Sequence, residues 1–154
     1  MGERKTISDV QNEINRVYKR SFQRGDSQRT IAKQQSEILL HRPRSSNERL
    51  ILMHRLYKEE WATQTFWQTL LEIWAERGPT AIEPICAVSQ QEVEFLIRIL
   101  RPFLTDFEFC SAFLFWLDSP LGFSQVNTEQ YNSVYSEVKS YYEQLINART
   151  QTTD

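Results

Sequence analysis

Thr105-Asp-Phe-Glu-Phe-Cys-Ser-Ala-Phe-Leu-Phe-Trp-Leu117 decides the fold. Its spacing predicts a helix over 107–117 that is apolar on nearly every side, so other elements must cover it all round. Thr105 to Glu108 reads as a capping box that opens the helix. Just upstream, Arg98, Arg101 and Pro102 interrupt the apolar run that begins at Phe95, and with Asp106 and Glu108 they rule out a membrane span. The stretch is therefore expected to be a buried core helix.

The rest of the chain supplies the covering helices. Ile7, Val10, Ile14, Val17, Tyr18 and Phe22 recur at helical spacing, with Thr6 or Ser8 available as the cap and Gly25 as the stop. A second, smaller stripe of Ile31, Gln35, Ile38 and Leu39 follows the potential cap Ser27, and Pro43 breaks it. Ser45 and Glu48 form a capping-box signature before an apolar face that runs to Arg77, about 30 residues, with a break expected near 62–65. Gly78-Pro79 is the expected stop, and 80–88, with Pro84 inside, the connector. Ser89 to Glu92 is another capping box, before a helix that Pro102 ends or kinks. Ser119 to Gly122 reads as a turn. A last amphipathic helix over about 128–148 carries Tyr131, Val134, Tyr135, Val138, Tyr141, Tyr142, Leu145 and Ile146 on one stripe.

With only four Gly and five Pro, the chain lacks the turns of a sandwich or barrel. The expectation is an all-α single-domain bundle of about six to seven helices around a central apolar helix. The domain spans 1–149, followed by a mobile tail over 150–154. Cys86 and Cys110 lie in apolar surroundings outside any CxxC spacing, which points to small buried hydrophobes and a reducing compartment. No secretory signal opens the chain, so an intracellular, cytoplasmic location is expected. The Gly2 and Thr6 placement matches a loose myristoylation pattern that arises readily by chance.

Near-neutral net charge, −2, conceals a division. Residues 1–58 hold thirteen Lys and Arg against six Asp and Glu, while 59–154 hold five against fourteen. Arg16, Lys19, Arg20 and Arg24 lie opposite or beside the first apolar stripe, and Arg29 and Lys33 oppose the second. Arg42, Arg44 and Arg49 extend the set through the basic loop. Nine cations, mostly Arg with its phosphate-matching fork, are the candidate nucleic-acid-binding residues, for backbone contact without sequence reading. The chain's own acidic half is the competing partner for them.

Catalytic and cofactor chemistry find little footing. His41 and His54 belong to no HExxH, ExxH or HxH spacing, no Gly-rich phosphate loop or nucleophile elbow is present, and no metal or cofactor is expected. Gln28 to Ser36 resembles the first helix of a helix-turn-helix. Ser36, however, occupies the turn position where Gly is usual, and the next segment runs into Pro43. Trp61, Phe66, Trp67 and Trp74 are spaced as core, which leaves Tyr18 and Phe22 as base-stacking candidates. The expected function is a non-catalytic helical subunit or adaptor that contacts a nucleic-acid backbone and other protein subunits. In fold and charge profile the chain is similar to the small helical subunits of RNA-guided CRISPR effector complexes. The alternative is a protein-interaction module, an inhibitor, chaperone or regulatory adaptor, whose basic face docks on an acidic partner.

Overall fold

The computed structural model describes residues 6–77, 87–119, 123 and 126–152, with no side-chain detail for 151 and 152. Seven α-helices and no strand occur among them. They are α1 (Ile7–Arg24), α2 (Gln28–His41), α3 (Ser46–Leu56), α4 (Gln64–Arg77), α5 (Gln90–Leu100), α6 (Phe107–Asp118) and α7 (Thr128–Thr152). A 3-10 turn, Arg101–Phe103, follows α5 where Pro102 cannot continue the helix. The fold is the expected all-α bundle.

Local chemistry sets the helix ends. Thr6 and Asp9 form a reciprocal capping box on α1: the Thr6 hydroxyl accepts from the Asp9 N–H at 3.1 Å and the Asp9 carboxylate accepts from the Thr6 N–H at 3.0 Å. Gly25 ends α1 in the left-handed region, φ 84°, where a side chain is strained. Ser27 and Ser45 cap α2 and α3. Glu48 does not complete the expected box: its carboxylate accepts from the Arg44 N–H instead, one residue earlier. Ser89 and Glu92 do form one on α5. At α6 the expected cap is displaced by one residue. Asp106 accepts from the Phe109 N–H at 2.9 Å, while the Thr105 hydroxyl donates to the Pro102 carbonyl. The long apolar face over 45–77 is two helices, interrupted across 57–63 because the chain must turn there to place α4 beside α2.

Packing follows a row α1–α2–α4–α6–α7 that α3 and α5 close. The first pair is antiparallel, tied at one end by Ser21 and Gln34 and at the other by Glu13 and Arg42. α4 runs parallel to α2, joined by Arg29–Glu72 and Arg77–Glu37. Trp74 of α4 meets Trp116 of α6 at 5.1 Å between rings. α7 lies antiparallel on α6, with the Tyr131 hydroxyl donating to the Leu117 carbonyl and Tyr142 stacked on Phe107. Phe109, Phe113, Trp116 and Leu117 of α6 are buried, as the sequence suggests, but Phe115 is 53% exposed because α4 and α7 leave one side of the helix open.

The last helix continues beyond the expected end near Ala148 to Thr152, so the segment expected as a tail is helical through that residue. Thr150 contributes by donating its hydroxyl to the Ile146 carbonyl one turn back. The expectations for residues 1–5, Gly78-Pro79, Pro84, Cys86, 120–122 and 153–154 lie outside the described residues.

Candidate nucleic-acid interface

Amphipathicity of α1 builds the strongest part of the site. Val10, Ile14, Val17 and Ser21 are buried against the bundle, which turns Asn12, Arg16, Lys19, Arg20 and Gln23 outward, all exposed or half-buried at the rim. Arg16 and Arg20 are one turn apart with Lys19 between them. Among the described residues none of the three has an ion-pair partner, and the two acids of α1, Asp9 and Glu13, lie N-terminal to them, Asp9 in the capping box with Thr6 and Glu13 paired with Arg42. Capping at Thr6 and Gly25 holds this ridge at fixed spacing.

The other candidates divide by their partners. Arg24 donates to Asp26 at 2.8 Å, and that hydrogen bond, with Asp26's charge, raises its pKa further. Arg29 is held by Glu72 at 2.7 Å, and Arg42 by Glu13 at 3.4 Å. Lys33 is exposed on α2, and Arg44 is exposed in the loop before α3. Arg49 is a correction: it is 1% exposed, inside the core. Its position on α3 shares the buried face with Leu52, Met53 and Leu56, and Glu92 of the acidic half pairs with it at 2.6 Å. Arg29 and Arg49 thus realise the internal competition that the charge division implied, and α1 escapes it.

Two cations absent from the expected set lie on the outer face of α3 or just beyond its end. Arg55 and Lys58 are exposed, and Arg55 reaches across to α1, donating to the Ser8 hydroxyl at 3.0 Å. Their spacing from Ile51 and His54 is a helical face that periodicity alone reveals. His54 packs its ring 4.1 Å from that of Phe95, and burial, then Arg98, then Lys58, lowers its pKa below the ordinary histidine value. Of the stacking candidates, Tyr18 lies between Phe22 and Trp61, whereas Phe22 is 57% exposed.

Among the described residues, the remaining histidine and cysteine side chains make structural contacts. His41 contacts Glu37 at 3.3 Å and Arg77 at 3.0 Å. Cys110 is buried, donates to the Val138 carbonyl at 3.4 Å, and burial pushes its thiol up to about 11. Among the described residues no three His, Cys, Asp or Glu side chains gather as metal ligands, and no helix is long and apolar enough to cross a membrane. No family model, curated protein or solved structure matches this chain.

Proposed function

We propose that this chain is a non-catalytic helical subunit of a nucleoprotein assembly and that the outer face of α1 lies along a nucleic-acid backbone. The observation that carries the reading is the ridge of Arg16, Lys19 and Arg20, three outward cations within about one turn that make no ion pair among the described residues. Asn12 and Gln23 flank them as hydrogen-bond donors. Such a face neutralises phosphates and releases their counterions without reading bases. Lys33, Arg55 and Lys58 extend the positive field, while Arg24, Arg29 and Arg42 are already shared with carboxylates.

Fluorescence anisotropy with a labelled single strand, titrated at several salt concentrations, tests it. Binding alone is expected to be about micromolar or weaker and steeply salt-dependent. Arg16→Ala/Lys19→Ala/Arg20→Ala should weaken every sequence alike and reduce the logarithmic salt slope by about 2, near 0.7 for each phosphate of a single strand that is no longer neutralised. A triple variant with the parent's affinity and slope refutes the reading.

A further inference from the structure

We infer that the acidic groove between α4 and α6 receives the basic α1 ridge of a second copy of this chain, so that copies join head to tail. The groove encloses about 520 Å³. One wall is the α4 ridge of Gln68, Glu72 and Glu76, each one turn from the next. Glu108 and Phe115 of α6 form the other wall, and the small side chains Ser111 and Ala112 between them let a helix approach closely. Three glutamates face one cation, Arg29, whose partner is Glu72. Glu76 and Glu108 have no ion-pair partner among the described residues.

The complement of this groove is on the same molecule. Phe22 and Phe115 are the most exposed large hydrophobic residues among those described, at 57% and 53%. Phe22 lies one turn from Lys19, beside the cationic ridge, just as Phe115 lies beside the glutamates. From Arg16 to Gln23 the ridge is about 10 Å long, and Glu108 to Phe115 spans the same distance at 1.5 Å per helical residue. Opposite charges meet along that length with an aromatic side chain from each partner, the chemistry of a helix laid in a groove. A net charge of −2 sets no large repulsion between copies. Ridge and groove are different surfaces, so the contact is heterologous, and each joined pair keeps one free ridge and one free groove. This self-association stands on its own and does not depend on nucleic-acid binding, with which it competes for α1.

Sedimentation velocity without nucleic acid tests it, using two variants at surface positions. One carries Arg16→Ala/Lys19→Ala/Arg20→Ala, with the groove intact. The other carries Glu76→Gln/Glu108→Gln/Phe115→Ser, with the ridge intact. The parent should gain mass with concentration at low salt and lose it at high salt. Each variant alone should stay monomeric, and a one-to-one mixture should form a dimer that grows no further, because the one remaining ridge and groove have been used. If a triple variant melts below the parent, Arg20→Gln or Glu108→Gln replaces it and should shift the parent's association to several-fold higher concentration. A parent that is monomeric throughout, a variant that associates as the parent does, or two folded variants that fail to pair would each overturn the inference.

Discussion

Arg49 and Glu92, 43 residues apart in sequence, form a two-pronged ion pair in the core: Nε donates to Oε2 at 2.6 Å and Nη2 to Oε1 at 2.8 Å. Their side chains are 2% and 0% exposed. Nη2 also donates to the Ala87 carbonyl at 3.0 Å, and the guanidinium lies 4.6 Å from the Trp74 ring centre. Glu92 Oε1 accepts in turn from the Ser89 N–H and hydroxyl, the cap of α5. One pair therefore locks α3, α4 and the start of α5 together, with hydrogen bonds offsetting the desolvation of both charges.

Removing one partner strands the other as a buried charge, which costs about 3–5 kcal/mol. Arg49→Met and Glu92→Gln are each expected to lower stability by that much in urea unfolding. Combined, they should cost clearly less than their sum, because no bare charge remains and the amide introduced on α5 still reaches the Ser89 N–H. Simple additivity would show that the two side chains do not act as a pair.

How legible this site is in the sequence depends on the range of the interactions. Caps at Thr6, Ser27 and Ser89, the stop at Gly25 and the outward ridge of Arg16, Lys19 and Arg20 are set within a few residues, and periodicity reads them directly. Arg49 reads as outward only because it is charged, although its spacing to Leu52, Met53 and Leu56 already places it on the buried face. Its partner, like Glu72 for Arg29, is a distant residue that no local pattern announces. Exposure of Phe115 is equally non-local, since an all-apolar helix tells nothing of which side its neighbours leave open.

The His54 environment yields a pH prediction. Burial disfavours the charged ring most, and Arg98 and Lys58 add repulsion, so the folded pKa lies below the unfolded one. The neutral ring is the form the fold prefers. Its contribution to stability is complete above the ordinary histidine value, near pH 6.5, and is lost as pH falls from there through the folded pKa. NMR titration should show His54 below the ordinary value. Arg98→Ala should raise it partway, leaving the part due to burial, and a midpoint unmoved by that change would remove Arg98 as a cause.

Gly25 isolates a backbone effect. A Cβ there would meet nothing within 4 Å, so only the left-handed φ opposes a side chain. Gly25→Ala should therefore cost about 1 kcal/mol. In a domain of this size that lowers the thermal midpoint by about 2–4 °C. Gly25→Asn, which tolerates that region better, should cost less. Equal melting of all three proteins would mean that the turn relaxes out of this conformation.

The tyrosine stripe of α7 is expected to serve the chain's own core. Tyr142 stacks on Phe107 at 5.3 Å between rings, and Tyr135 stacks on Tyr131, where Asp118 at the end of α6 raises its pKa. Both rings are partly buried, so truncation removes apolar packing without opening a sealed cavity, at about 1–2 kcal/mol each. Tyr142→Ala and Tyr135→Ala should thus lower the thermal midpoint, and Tyr135→Phe should recover most of the deficit at that position because the ring stack survives. Phe107 also lines the α4–α6 groove, which ties this end of α7 to the proposed docking surface. If Tyr142→Ala melts like the parent yet abolishes self-association, Tyr142 acts at the contact between copies and contributes little to the fold.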